Sequence, residues 1–346
     1  MTPERFSEKV RGDIPYPLLH IPLADLREGQ RIAQCFLVKK KTQRSTRTGD
    51  PYLEIVLADR TGTIPARAWA DATQRYATQF DEGDFVFVDG RTDTYRNVLQ
   101  IIVESIRRVT AHEQDTGGIP GFDPALLIPT TAMDVDAMWT EILALVDTIE
   151  PSPLRDLTRS ILTANGDAFR EAPAAVFKHH AYVGGLLEHT LEVARGVAKF
   201  LDSMPNHGLH RGLAVSGAIL HDIGKLNEIE NSVAPRFTAG GEFFGHIIQG
   251  RDLIHEAAAT VEWADERLPL LLEHVLISHH GELEYGAPVL PKAPEAIVVF
   301  HFDNLSARLN MIRSIVDTDN EEGDFTAWDS DFRRRFFKGH LEEDAQ

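Results

Sequence analysis

His221-Asp222-Ile223-Gly224-Lys225 closes an apolar helical run. An imidazole and a carboxylate on adjacent residues can both face one ion where a helix ends and its backbone turns. Gly224 suits such a turn, being free to take positive φ. Imidazole with carboxylate is a donor set for Zn²⁺, Fe, Mn²⁺ or Ni²⁺. The pair has company. His189 stands on the preceding helical run, His246 opens a later one, and His279-His280-Gly281 marks another helix end. Asp303 falls inside the apolar run His301-Phe302-Asp303-Asn304-Leu305, where a lone carboxylate is costly to bury and calls for a cation.

This order of donors resembles the HD-domain metal-dependent phosphohydrolases. The resemblance implies a primary metal site of His189, His221, Asp222 and Asp303. It also implies that His246, His279 and His280 are the further ligands that two-metal members use. Paired divalent cations suit phosphodiester hydrolysis, because they acidify water near neutral pH and neutralise phosphoryl oxygens. Asp222, with two carboxylate oxygens, is the natural bridge between them. Lys225, three residues on, could contact a non-bridging phosphate oxygen, or could pair with an acid such as Glu228.

The elements that must position these residues change character along the chain. The first half reads as strands at 32–39, 52–58, 63–70, 85–91 and 98–109, with Asp59-Arg60-Thr61-Gly62 as a hairpin turn. A short helix over 71–80, with Asp71 as its N-cap, falls between the third and fourth strands. Five strands in that order predict an all-β OB-fold barrel over 14–110. Gly117-Gly118-Ile119-Pro120-Gly121, Pro124 and Pro129 make 111–131 a linker. Beyond it the period becomes helical, with Trp139, Ile142, Leu143, Val146 and Ile149 on one stripe. Helices are expected at 154–163, 185–202, 209–222, 247–264, 268–279 and 294–316. Residues 237–244 read as irregular or hairpin-like. The second domain, 132–316, is therefore expected to be an all-α bundle, which the resemblance implies is an HD domain, followed by a C-terminal extension over 317–346. Its acidic start, 317–324, reads as a solvated loop.

Charge divides the same way. Residues 14–110 hold 14 basic and 12 acidic side chains, whereas 111–346 hold 18 and 38, within a chain of 346 residues and net charge −18. The first half is the better candidate to meet a polyanion. Lys39, Lys40, Lys41, Arg44 and Arg47 place five cations in nine residues between the first two strands. Tyr52 and Trp69 could offer π-faces to unpaired bases, though both could equally be core. Tyr95 is a further aromatic of this kind. The composition, 43% apolar and 25% charged, is globular. One cysteine, Cys35, excludes a disulfide framework and Cys-based zinc fingers and points to the cytoplasm. No apolar run approaches the roughly 18 residues needed to span a bilayer, and 1–11 is too charged for a signal peptide. Of the 15 histidines, most lie beyond residue 178. His255, His274 and His301 read as core residues, and His20, His112, His207, His210 and His340 as surface ones.

Taken together, the two halves resemble the YhaM family of bacterial 3′-5′ exoribonucleases over roughly 14–316. The motifs that carry this are His179 through Thr190, His221 through Lys225, Ser278-His279-His280-Gly281 and Asp303-Asn304-Leu305, with Asp59-Arg60-Thr61-Gly62 ahead of Ala66-Arg67-Ala68-Trp69. The resemblance implies Mn²⁺-dependent removal of nucleotides from the 3′ end of single-stranded RNA, with single-stranded DNA a further substrate class. It implies that His179 and His180 lie near the metals, touching the scissile phosphate or supporting the ligands. Two other readings stay open. One is a phosphohydrolase of a small nucleotide or cyclic dinucleotide, and the other is a nucleic-acid-binding regulator with little turnover. Self-association is also left open.

Overall fold

The computed structural model describes residues 20–46, 48–95, 98–116, 118–119, 122–176, 180–204, 206, 208–230, 235–319, 321 and 323–339. The chain divides into two units, 1–129 with 320–323 and 130–319 with 324–346.

In the first unit, β1 (Arg31–Ser45), β2 (Pro51–Asp59), β3 (Gly62–Ala68), β4 (Phe85–Tyr95) and β5 (Val98–Arg108) close into a barrel of order β1-β2-β3-β5-β4. The β3–β5 pairing is parallel and the others are antiparallel. Alternate residues point inward, so Leu53, Ile55 and Leu57 of β2 are fully buried beside Phe36, Val38 and Ile101. Each such side chain contributes on the order of 1.5–3 kcal/mol through burial. Helix α1 (Ala70–Tyr76) lies between β3 and β4, making the OB arrangement that the strand order predicted. Its N-cap is Trp69, with no side-chain cap bond, so Asp71 does not cap it. The Asp59–Gly62 turn is held from inside. Asp59 Oδ1 accepts the Thr61 backbone N–H and hydroxyl, both at 2.7 Å, and Oδ2 accepts the Leu23 N–H at 2.7 Å. Asp59 Oδ2 also lies 3.0 Å from His20 Nε2, so His20 is buried against it rather than exposed.

β1 runs well beyond residue 39. It keeps pairing with β2 from Lys41↔Ile55 to Ser45↔Pro51, after a bulge at Val38/Lys40. Lys39, Lys40, Lys41 and Arg44 are therefore strand residues, not a loop. The linker has structure too: α2 (Ala111–Thr116) and α3 (Pro124–Leu127), with Leu127 fully buried.

The second unit contains α4 (Val135–Asp147), α5 (Ser152–Ala164), α6 (Gly166–Glu171), α7 (Gly185–Ser203), α8 (Arg211–Leu220), α9 (Lys225–Glu228), α10 (Ala239–Ala258), α11 (Arg267–Ser278) and α12 (Pro294–Thr318). Nine of the ten α8 residues, Gly212 to Leu220, are apolar, small or glycine, and all nine are buried. A helix apolar on every side must run through a core. α8 packs against α4, α5, α7, α11 and α12 and delivers its last residues to the bundle centre. One exception to the all-α expectation is a two-stranded ribbon, β6 (Ile229–Glu230) with β7 (Arg236–Phe237). α10 begins before 247 and bends at Gly245, whose φ is 67°. α12 takes in the start of the expected acidic loop, and residues from 324 onward group with the helical unit. His255 and His301 are exposed, contrary to the core expectation. His255 forms an ion pair with Glu273 on α11. No helix among the described residues is long and apolar enough to cross a membrane.

Candidate metal centre and nucleic-acid face

Three helices and the turns that end two others bring the predicted donors together. α7 carries His189, the turn after α8 carries His221 and Asp222, the bend in α10 places His246, the end of α11 carries His279 and His280, and α12 carries Asp303. His189 Nε2 lies 3.1 Å from Asp303 Oδ1, and His221 Nε2 lies 3.2 Å from Asp222 Oδ2. The other carboxylate oxygen, Asp222 Oδ1, faces His246 Nε2 at 3.5 Å and His279 Nε2 at 3.6 Å. His189, His221 and Asp222 form one donor group close enough to share an ion, and His246, His279 and His280 form a second. Asp222 thus presents one oxygen to the first group and the other to histidines of the second.

The far side of each imidazole sets its tautomer. His221 Nδ1 donates to Ala218 O at 2.8 Å, His279 Nδ1 to Leu276 O, and His280 Nδ1 to Tyr285 O at 2.8 Å. His246 Nδ1 donates to Glu228 Oε1 at 3.0 Å. Ser306 gives its hydroxyl hydrogen to Glu192 Oε2 at 2.6 Å, so it accepts from His189 Nδ1 at 3.0 Å. With every Nδ1 protonated, each Nε2 is a bare lone pair aimed inward. His221 Nε2 and His189 Nε2 then confront each other at 3.3 Å, a repulsive arrangement that a cation relieves. Asp222 Oδ1, His246 Nε2 and His279 Nε2 are buried without a hydrogen-bond partner. Such orphaned acceptors around shared carboxylates fit divalent cations.

Electrostatics point the same way. Burial would raise the Asp222 carboxyl, but the Lys225 ammonium beside it outweighs that and holds it well below the usual carboxylate range. Burial pushes His280 down to about 4, which keeps it neutral and able to ligate near pH 7.

Gly224 is needed for a different reason than its turn suggested. Its φ of −65° is ordinary helical backbone. A Cβ there would meet His246 O at 2.0 Å and Gly250 N at 2.5 Å. The missing side chain lets α10 close on the His221–Gly224 turn and brings His246 to Asp222.

A cavity of about 550 Å³ opens above the donors, with Asp222, His246, His280 and Asp303 among its lining residues. Lys225 also lines it, with its ammonium 2.6 Å from Asp222 Oδ2. His180 does not line it. That side chain is fully buried, with Nδ1 2.9 Å from the Tyr182 hydroxyl and Nε2 3.6 Å from Glu192, so it buttresses His189 from behind. His179 lies outside the described residues. Sequence reasoning missed Glu192 and Ser306, and offered Glu228 only as a partner for Lys225, whereas all three orient the ligands. The signal was one helical turn: Glu192 follows His189 by three residues, and Ser306 follows Asp303 by three.

On the barrel, Trp69 is 46% exposed and its ring lies 5.6 Å from that of Tyr52. These rings form a surface pair rather than core. Two of the five predicted cations are already engaged: Lys41 Nζ by Asp81 at 3.0 Å, and Arg44 by Glu54 at 2.6 Å. Lys40 is exposed, Lys39 is half-buried, and Arg47 lies outside the described residues. Burial pushes the Lys39 ammonium below its ordinary value. Tyr95 adds an exposed ring beneath the Arg67 guanidinium, 4.9 Å from its centroid.

Comparison with known proteins agrees with both units. The family described as OB-fold nucleic acid binding domain matches residues 37–109, and the HD domain family matches 186–308. The 3′-5′ exoribonuclease YhaM of Geobacillus sp. (strain WCH70) is 30% identical over 298 residues, 86% of this chain and 88% of the relative. That of Bacillus subtilis (strain 168) is 30% identical over 284 residues, 82% and 87% of the two chains. That of Bacillus pumilus (strain SAFR-032) is 33% identical over 284 residues, again 82% and 87%.

Proposed function

Because this chain belongs to the 3′-5′ exoribonuclease YhaM family, we propose that it is a metal-dependent 3′-5′ exoribonuclease acting on single-stranded RNA. We further propose a two-metal site in which His189, His221, Asp222 and Asp303 hold one divalent cation. His246, His279 and His280 hold the other, with Asp222 shared. Mn²⁺ is the ion we favour, on the family resemblance. The observation that carries this reading is the split of Asp222, with Oδ2 toward His189 and His221 and Oδ1 toward His246 and His279. When bound there, such cations supply charge neutralisation at the phosphoryl oxygens and acidify water for attack.

The protein's own groups do the rest. Glu228, Ser306 and three backbone carbonyls fix the imidazoles, so that little reorganisation accompanies the reaction. Lys225 holds Asp222 and is a cation inside the cavity, placed to donate a hydrogen bond to a phosphoryl oxygen. On the barrel, Trp69 and Tyr52 are the rings on which unpaired bases would stack, with Lys40 and Lys39 beside the strand. Single-stranded DNA offers the same phosphates and bases and is a second substrate class for the site. A lone buried cysteine fits a cytoplasmic setting.

The test is 5′-labelled RNA incubated with the full chain and Mn²⁺. A ladder shortening stepwise from the 3′ end, with 5′-mononucleotides released, is expected. Hydrolysis of small nucleotides alone, or tight RNA binding with no turnover and no metal in elemental analysis, would overturn the proposal.

A further inference from the structure

Part of the cavity wall comes from a stretch of chain that the metal ligands do not require. Residues 324–339 fold back on themselves through the bridges Phe325↔Phe337 and Asp329↔Arg334. Thr326, fully buried, ties the two limbs: its N–H donates to Phe336 O at 2.8 Å and its hydroxyl oxygen accepts the Phe336 N–H at 3.0 Å. Phe332 anchors the fold-back. It is 8% exposed, meets Phe336 edge-on at 5.2 Å, and lies under the Arg308 guanidinium of α12, 5.4 Å from its centroid. Of this segment, Asp331 and Phe332 line the same cavity as Asp222 and His246, together with Arg308 of α12.

This segment carries charge of the opposite sign to its surroundings. Residues 111–346 contain 18 basic and 38 acidic side chains, yet 324–339 holds four basic ones, Arg333, Arg334, Arg335 and Lys338, against three acidic ones, Asp324, Asp329 and Asp331, with Lys338 paired to Asp319 at 3.0 Å. The three arginines are exposed. Arg334 Nε donates to Phe332 O at 3.0 Å and Arg335 Nε to Thr326 O at 2.7 Å. Carbonyl partners orient a guanidinium without neutralising it, so the remaining N–H groups can serve an anion. Trp328, 66% exposed, lies on the same fold-back. A strongly acidic unit repels RNA unless a local positive path leads to its active site. Cations next to aromatic rings are the chemistry of single-strand binding.

We propose that residues 324–339 are the strand-gripping wall of the metal cavity. Arg308, steadied by Phe332, Arg333 and Arg334 contact successive phosphates of a single-stranded RNA whose 3′ end enters the cavity, and Trp328 takes an unpaired base. This rests on the exoribonuclease reading and assigns that site its own RNA-holding surface, distinct from the barrel.

The test uses the full chain carrying Arg333→Glu with Arg334→Glu, and Arg333→Glu alone, which breaks no hydrogen bond among the described residues. Two readouts are needed: hydrolysis of bis(p-nitrophenyl) phosphate with Mn²⁺, and affinity for a 5′-fluorescein oligoribonucleotide by anisotropy in EDTA over a salt series. The double variant should hydrolyse the small diester at the wild-type rate and bind RNA at least about tenfold more weakly. Its plot of log affinity against log salt should be shallower by about 1.4, since each phosphate contact on a single strand adds about 0.7. The single variant should show half that change in slope. Unchanged RNA affinity and slope would overturn the proposal, as would a parallel loss of small-diester hydrolysis, which would mean that the segment shapes the metal centre. A wild-type protein that hydrolyses neither substrate would sink the nuclease reading instead, while the anisotropy series still decides whether this wall grips RNA.

Discussion

Gly224→Ala tests whether close packing of one helix assembles half of the metal centre. The added Cβ would lie 2.0 Å from His246 O, about 1.4 Å short of the 3.4 Å at which ordinary contact begins. The atoms it meets are backbone, so no side chain can swing aside. The middle of α10, from His246 to Gly250, must retreat by an amount of that order, at an overpacking cost of about 1–3 kcal/mol. His246 moves with it. Its Nε2 sits 3.5 Å from Asp222 Oδ1, and a further displacement of about 1 Å takes it out of range for sharing an ion. Misplacement of that size at a reacting centre costs about 10²-fold in rate. The variant should stay folded with a lowered melting temperature and bind about one metal equivalent fewer by mass spectrometry. It should cleave 5′-labelled RNA about 100-fold more slowly, with RNA affinity unchanged. His246→Ala should reproduce the metal and rate losses without the overpacking cost. Wild-type metal content and turnover in Gly224→Ala would refute this account of how α10 positions its histidine.

Ser306→Ala removes the acceptor that fixes His189 Nδ1, and should lower metal affinity or turnover about 10–100-fold, measured by metal titration and RNA decay. Trp69→Ala should weaken single-stranded RNA binding by about 1–3 kcal/mol in anisotropy while leaving cleavage of a dinucleotide unchanged. Asp59→Asn puts an amide where Oδ2 accepts the Leu23 N–H and His20, and should cost the barrel about 1–3 kcal/mol in urea unfolding near pH 7. Burial opposes ionisation of Asp59, but its hydrogen bonds from His20, Thr61 and Leu23 hold the carboxyl below the ordinary value. Its stabilisation is therefore fully present above the usual carboxylate range and fades as pH falls through the lowered value. The gap between wild type and Asp59→Asn should narrow in acid, and a constant gap would contradict that assignment.

Much of the site was legible because it breaks a rule of composition. His189, His221, Asp222, His279 and Asp303 stand in segments otherwise apolar enough to be buried, and buried donors without a cation are expensive. The barrel was legible because inward residues alternate along β2 and β5. Strand ends were less so: β1 continues through Lys40, Lys41 and Arg44 because β2 is there to pair with, which no local preference reveals. His20 reads as a surface residue until Asp59, 39 positions away, is placed beside it.

The residue types and their order determined what chemistry this chain can host: histidine and aspartate donors on apolar helices, in one chain with a barrel that bears exposed aromatic rings. Tertiary structure alone decided the arrangement, from the two faces of Asp222 and the reason for Gly224 to the retirement of His180 behind His189 and the placing of Arg308 and Phe332 at the cavity. Ligand identity follows from local chemistry. Distances between segments a hundred residues apart follow from how helices pack, and that is a property of the whole core.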